Sequence, residues 1–306
     1  MESLSVGEAR RLALARAGLL KPEWTGFPRG KNASGREAAI EVIRRFGYLQ
    51  LDSVSVAGAR SHVIVLHSRI PGIAPEVPEG LLRPGAPIFE YWGHEASWIP
   101  KELYPAFAFR RKAFQTHPWW GDLIGGHPRV ASSILDRIRK DGPLRSSELE
   151  GRTASGWWNL SVAKKVVSAL WSSGALAVRE RKNFQRTYDL AERVIESKWR
   201  RRELGLTASL KILLLKALEG HGFATSATLT ATWRLRFLRD EVRKALDELE
   251  EEGAVRKCVL HPTPRTRIAG FIRYEDLELA GRLRRLRLSP ESADGGLLLS
   301  PFDPLL

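Results

Sequence analysis

Gln50 and Asp52, one leucine apart in Tyr48-Leu49-Gln50-Leu51-Asp52-Ser53-Val54, are the side chains best suited to chemistry on a bound water. On an extended strand alternate residues share a face, so the amide and the carboxylate point one way while Leu49, Leu51 and Ser53 point the other. A carboxylate accepts hydrogen bonds and an amide both donates and accepts, so the two can hold one water between them. The same alternation fits a solvated strand face, and the residues alone leave both readings open. Other polar clusters fall short of known chemistries. His94-Glu95 is followed by Trp98 where a zinc-protease helix needs a second histidine. Gly26-Phe-Pro-Arg-Gly30-Lys31-Asn32 has three residues between its glycines and an asparagine after the lysine, whereas a phosphate-binding loop needs four and then Ser or Thr. The single cysteine, Cys258, excludes a disulfide framework and a thiolate zinc site, and no metal or cofactor is expected.

The elements that must position Gln50 and Asp52 show in a spacing that occurs three times. Two apolar residues three apart are followed by a glycine four later and a hydrophobic residue two beyond it: Ile40, Ile43, Gly47, Leu49; Val167, Leu170, Gly174, Leu176; Leu246, Leu249, Gly253, Val255. The first two residues share a helix face, and glycine closes a helix most easily because it takes the left-handed conformation. Each copy then runs into Val, Leu, Tyr and Arg, as in Ala175-Leu176-Ala177-Val178-Arg179. A helix, a glycine stop and a basic strand form the back half of a winged helix-turn-helix, a fold that docks a helix in the DNA major groove. Matching front halves precede two copies: Ile134, Leu135 and Ile138 with Ser146-Ser147-Glu148-Leu149, and Leu210, Leu213, Leu214 and Leu218 with Phe223-Ala224-Thr225-Ser226. Before the first copy, Val6 to Ala17 reads as a helix stopped by Gly18.

The expected fold is mainly α with short β wings: three tandem winged helix-turn-helix modules, near residues 1–66, 128–190 and 205–275, around a basic concave surface. The expected domains are 1–127, a first winged helix with an aromatic insertion that carries Gln50 and Asp52; 128–204, the second; and 205–306, the third with the start of a C-terminal region. The insertion, Arg60 to His127, combines a Pro- and Gly-rich loop with Phe107, Phe109, Phe114 and Trp119-Trp120 beside Arg110, Arg111 and Lys112. Such rings suit a core, and also base stacking.

Charge points to a polyanion. The 306 residues carry 49 Lys and Arg against 35 Asp and Glu, a net charge of +14, which favours nucleic acid as partner. Lys164 and Lys165 fall on the second recognition helix, Arg243 and Lys244 on the third, and Arg179, Arg181, Lys182 and Arg186 on the second wing; these are the expected DNA-binding residues. No apolar run approaches the ~20 residues that span a bilayer, and the N-terminal segment does not read as a signal peptide. A cytoplasmic monomer with no membrane partner is expected.

Four blocks carry a resemblance. Gln50-Leu51-Asp52-Ser53-Val54-Ser55-Val56 with Arg60 and His62, Tyr91-Trp92-Gly93-His94-Glu95-Ala96-Ser97-Trp98-Ile99-Pro100, Asn183-Phe184-Gln185-Arg186-Thr187-Tyr188-Asp189-Leu190, and Leu299-Ser300-Pro301-Phe302-Asp303-Pro304-Leu305 stand in family order across nearly the whole chain. Together they resemble the YcaQ/AlkZ family of winged-helix DNA glycosylases. The resemblance implies three tandem winged helices and removal of alkylated purines, N7-guanine adducts and some interstrand crosslinks among them, from damaged double-stranded DNA. It also implies a monofunctional enzyme acting in the bacterial nucleoid. The family signature of a glutamine, an aliphatic residue and Gln or Asp falls on Gln50, Leu51 and Asp52, which makes Gln50 and Asp52 the expected catalytic residues. His94, Glu95, Trp92, Arg60 and His62 are expected near the site. Family members continue past the Ser-Pro-Phe-Asp-Pro block while this sequence stops at Leu306, so a C-terminal portion is expected to be absent and Asp303 to lack part of its surroundings.

Two rival classes account for the repeats and the charge: a non-enzymatic winged-helix regulator or architectural protein, and an interaction array that keeps the fold without the chemistry. Neither explains a Gln-Leu-Asp strand together with a His-Glu aromatic loop.

Overall fold

A computed structural model describes residues 2–20, 35–53, 55–56, 58–116, 118, 120–149, 157–286 and 297–306, and for Ser55, Val56, Ser146 and residues 157–161 the backbone alone. The Gly26–Asn32 run, Val54 and Trp119 lie outside the described residues.

The repeated spacing is a repeated structure. Helices Gly35–Phe46, Trp157–Ser172 and Arg239–Glu251 are each followed by a glycine in the left-handed region, Gly47 (φ +79°), Gly174 (φ +85°) and Gly253 (φ +76°). Each then enters a strand: Leu49–Gln50, Leu176–Lys182 and Val255–Thr263. Gly47 is needed on a second ground, because a Cβ there would overlap the Lys216 side chain and come within 3.1 Å of the Trp233 ring.

The chain forms two compact units whose segments alternate in sequence: Met1–Pro78, Gly93–Ser97 and Leu206–Leu306 in the first, Glu79–Trp92 and Trp98–Gly205 in the second. The stretch 1–127, read above as one segment, therefore contributes to both.

In the first unit, helix Leu206–His221 is apolar nearly all round and packs against helices Gly35–Phe46 and Arg239–Glu251. The interface is made by Leu210, Leu213, Leu214 and Ala217, with Val42, Ile43 and Phe46 from one neighbour and Val242, Ala245 and Leu249 from the other, all buried. Helix Leu206–His221, strand Phe223–Ala224, helix Ser226–Thr232, helix Arg239–Glu251 and the hairpin Val255–Thr263/Thr266–Arg273 follow in that order. The hairpin belongs to a four-stranded sheet in which Glu2–Ser5 pairs in parallel with Val255–Thr263. That N-terminal strand was not foreseen; its sequence signal is the Ser5-x-x-Glu8 capping box that ends the strand and starts helix Val6–Arg16. Leu4, Leu12, Cys258, Ile272 and Leu283 make the core beneath the sheet. The architecture is thus mixed helix and sheet, not helices with short wings alone.

The second unit has the same element order: helix Pro128–Asp141, strand Leu144–Arg145, a short 3₁₀ turn, helix Trp157–Ser172 and hairpin Leu176–Lys182/Gln185–Leu190, with Leu144–Arg145 on the Gln185–Leu190 edge. Five described rings of the aromatic insertion join its core, with Trp171 of helix Trp157–Ser172. Phe89, Tyr91, Tyr104, Phe107, Trp98 and Trp171 are buried, and Tyr91 meets Phe107 and Trp171 edge-on at 5.8 and 6.0 Å between centroids.

The first copy of the repeat departs from the other two. Strand Leu49–Gln50 is not followed by a returning strand of the same hairpin; Ser55–Val56 and Ala59–Arg60 form a two-stranded sheet of their own. The Leu51 amide instead donates to the Ala96 carbonyl at 2.8 Å. A distant hairpin takes the place of a local wing.

Candidate active site

Helix Gly35–Phe46 is amphipathic, with Ala39, Val42, Ile43 and Phe46 on its buried face. The face ends at Phe46, Gly47 turns the chain, and Tyr48, Leu49, Gln50 and Leu51 are all buried. The alternation expected of the strand holds only in part. Leu49 and Leu51 face inward as predicted, but Gln50 is 8% exposed while Asp52 is half-buried and Ser53 exposed. The strand is only two residues long, Leu49–Gln50, and period-2 reasoning loses its hold where the ladder ends. Asp52 sits past that end, anchored at its Leu51 neighbour and open toward solvent on one side. A group that must reach both water and substrate needs such access.

Residues Gly93–Ser97 form the hairpin tip that meets this strand. The Gly93 amide and the Ser97 hydroxyl both donate to the Glu95 carbonyl at 2.9 Å. Gly93 is tightly enclosed: a Cβ there would stand 3.1 Å from Ser97 Oγ and 3.4 Å from Tyr48 Cβ. The tip is held from the other side by Arg234, whose Nε donates to the His94 carbonyl at 2.8 Å and whose guanidinium pairs with the Glu95 carboxylate. Arg234 has φ +53°, a left-handed conformation that costs a non-glycine residue roughly 1–2 kcal/mol. The tip that carries His94 and Glu95 is thereby joined to the chain just past strand Leu49–Gln50. His94 also lines a cavity of about 540 Å³ with Ser226, Thr230, Arg234, Arg236, Arg239 and Arg243.

The closing Ser-Pro-Phe-Asp-Pro block is built into the same unit. Asp303 accepts two hydrogen bonds from Arg69, both at 2.7 Å, and neither side chain is exposed. Arg69 further donates to the carbonyls of Ala17 (2.6 Å) and Val65 (3.0 Å) and lies 5.0 Å from the Phe46 ring centroid. Asp303 also accepts from the Leu305 amide at 3.0 Å. Burial, and after it the Asp303 charge, push the Tyr48 hydroxyl up to about 12.

Arg60 ends its short strand and precedes helix Ser61–His67; His62 lies in that helix with 0% exposure. Trp92 belongs to the second unit, where its indole N–H donates to Ser172 Oγ at 2.9 Å and its ring lies 4.9 Å from that of Trp171.

The expected DNA-binding residues divide in two. Lys164, Lys165, Lys182, Arg243 and Lys244 are exposed, and Arg179 is partly so while paired with Asp189 at 3.0 Å. Arg181 and Arg186 turn inward. Arg181 meets both oxygens of Glu90 at 2.7 Å and Arg186 meets one at 2.6 Å, with the carboxylate wholly buried. Burial by itself pushes Glu90 up, but the charges of Arg186 and then Arg181 overcome it and hold the carboxyl below its ordinary range. These two arginines tie the hairpin Leu176–Lys182/Gln185–Leu190 to a buried carboxylate of the second unit. Sequence reading missed their partner because Glu90 lies 91 and 96 residues away.

It also missed Arg234, Arg236 and Arg239. The signal was three arginines within six residues, Arg234, Arg236 and Arg239, in a segment that is a turn running into helix Arg239–Glu251. Among the described residues no cluster of three or more His, Cys, Asp or Glu is placed to hold a metal ion, and no helix is long and apolar enough to cross a membrane.

Two comparisons bear on the arrangement. The family model described as "DNA glycosylase AlkZ-like" matches residues 43–306. The solved structure of Streptomyces sahachiroi DNA glycosylase AlkZ superposes with a TM-score of 0.57 at 14% identity, covering 92% of this chain and 72% of that one. At that identity the likeness is one of fold.

Proposed function

The chain belongs to the AlkZ-like DNA glycosylase family, and from that premise we propose that it hydrolyses the N-glycosidic bond of N7-alkylated purines in double-stranded DNA, with Asp52 and Gln50 as the catalytic residues. The observation that supports this reading is the Leu51–Ala96 hydrogen bond of 2.8 Å, which ties the residue before the half-buried Asp52 to the tip that carries His94 and Glu95; His94 in turn lines the arginine-rich cavity. An N7-alkylguanine is cationic, so it departs as a neutral base and needs no general acid. Water attacks C1′ of the sugar, the C1′–N9 electron pair moves onto the base, and Asp52 takes the proton from the water. The same carboxylate stabilises the positive charge that develops on the sugar, and the Gln50 amide orients the water. One carboxylate suffices where sugar hydrolases need two, because the leaving group is already activated.

We further infer that residues 128–190 and 205–275 are winged helices, since each carries helix, short strand, two helical segments and a hairpin in that order. Residues 1–66 are a third, altered copy whose wing is supplied by the Gly93–Ser97 tip. Single-turnover release of N7-methylguanine from duplex DNA tests the function. No release by the wild-type protein would leave a DNA-binding protein without this chemistry.

A further inference from the structure

The turn between helices Ser226–Thr232 and Arg239–Glu251 displays its residues in a pattern the catalytic reading does not use. Trp233 and Leu235 are buried at 0% and 1%, while Phe237 is 84% exposed, a whole aromatic ring standing in solvent. The turn is not loose. The Trp233 indole donates to the Leu213 carbonyl at 2.6 Å, and the amides of Leu235 and Leu238 donate to the carbonyls of Thr230 and Leu235, each at 2.8 Å. A pinned backbone that keeps phenylalanine out of the core presents it to something else. The Arg236 guanidinium lies 4.8 Å from the Phe237 ring centroid, and Arg234, Arg236, Arg239 and Arg243 border the adjoining cavity. Of these four guanidinium groups, Arg234 pairs with Glu95 and Arg243 with Asp240, both exposed carboxylates, and the cavity lining itself holds no Asp or Glu.

We propose that Phe237 is a wedge that enters the base stack of duplex DNA while the arginines of the adjoining cavity hold the flanking phosphates. This rests on the DNA reading above and adds a residue to it. Apolar side chains inserted between base steps unstack and kink a duplex. An aromatic ring recovers part of the lost base stacking, and guanidinium groups beside it neutralise the phosphates drawn close by the kink. A rigid turn suits this role because little ordering is left to occur on binding.

The test uses the full chain and undamaged duplexes carrying 2-aminopurine at each position in turn, a base whose fluorescence rises when it is unstacked. Wild-type protein should raise the signal at one or two positions. Phe237→Ala should abolish the rise and weaken binding about tenfold, the scale of one lost base–aromatic stack, with the salt dependence of affinity unchanged. Phe237→Trp should restore both. The double variant Arg236→Gln/Arg239→Gln should flatten the salt slope by about two, roughly 0.9 per phosphate contact, while the rise per bound complex persists. Wild-type affinity and signal in Phe237→Ala, or no rise with wild-type protein at any position, would overturn the wedge. Base release is scored in parallel. Unstacking without release leaves the wedge and removes the glycosylase reading; release that is indifferent to Phe237→Ala, with no unstacking, does the reverse.

Discussion

Arginines meet carboxylates in both units, with opposite consequences. Around the cavity of the first unit, Arg234 and Arg243 pair with Glu95 and Asp240, carboxylates that are themselves 42% and 90% exposed. In the second unit, Arg181 and Arg186 close on Glu90, which has no exposure at all. An exposed pair is screened by water and exchanges its partner readily, so its arginine remains available to a phosphate. A buried carboxylate with two guanidinium partners cannot release them without leaving charge in a low-dielectric interior. The partner's burial, more than the arginine's own place in the chain, decides whether its charge is screened by water or locked into the fold.

The sharpest way to break that division is to remove one carboxylate from each unit. Asp52→Asn should lower single-turnover release of N7-methylguanine by about two to four orders of magnitude, the usual worth of a general base, and leave duplex affinity and thermal stability nearly unchanged. Wild-type release would show Asp52 to be only a solvated residue at a strand end. Glu90→Gln should do the opposite. It strands two arginines in the core, so the urea midpoint should fall by the equivalent of roughly 3–5 kcal/mol, while the protein that remains folded keeps its salt slope on DNA.

Acid should separate the two as well. The Glu90 carboxyl is held below its ordinary value near 4.5, so the stability it contributes is complete above that value and is lost as pH falls through the lower, folded one. Wild-type unfolding should therefore steepen toward low pH, and Glu90→Gln should lose that component. A Glu90→Gln profile parallel to wild type would remove Glu90 from the account.

Gly47→Ala probes the link between helix Gly35–Phe46 and the strand that carries Gln50. The left-handed backbone alone costs an alanine about 1–2 kcal/mol, and overlap with Lys216 and Trp233 adds to it, so both melting temperature and release should fall; unchanged melting would refute the packing described at the turn. The smallest effect sharpens the cation comparison itself. Lys164→Gln/Lys165→Gln should lower the salt slope by about one to two, since each contact with phosphate is worth roughly 0.9, without a measurable change in stability. A slope unmoved there would mean that these exposed lysines face away from bound DNA.

Much of the architecture near the site was legible because it is local. The spacing Ile40, Ile43, Gly47, Leu49 and its two echoes depends on contacts within one helical turn and on the φ of one glycine, and all three glycines are left-handed in the structure. Gln50 and Asp52 were nameable from spacing, and the His94–Glu95 tip from its company. Other features had no local cause. The parallel strand Glu2–Ser5 exists because Val255–Thr263 offers it an edge, and nothing between those segments in sequence announces that pairing. The alternation that put Gln50 on an open face failed because burial there is set by what packs on a two-residue strand, not by the strand's own period.

By itself, then, the sequence determined where three helices stop and that the chain as a whole is strongly cationic. Only the tertiary structure decided which of those cations face solvent. Arg181 and Arg243 look alike in the chain, each one more arginine in a basic segment, and they part company because a residue 91 positions from Arg181 brings it a buried carboxylate while Arg243 has only an exposed one three residues away. Helix and turn signals act over a few residues and are written in them; the environment of a charge is the sum over everything that folds around it.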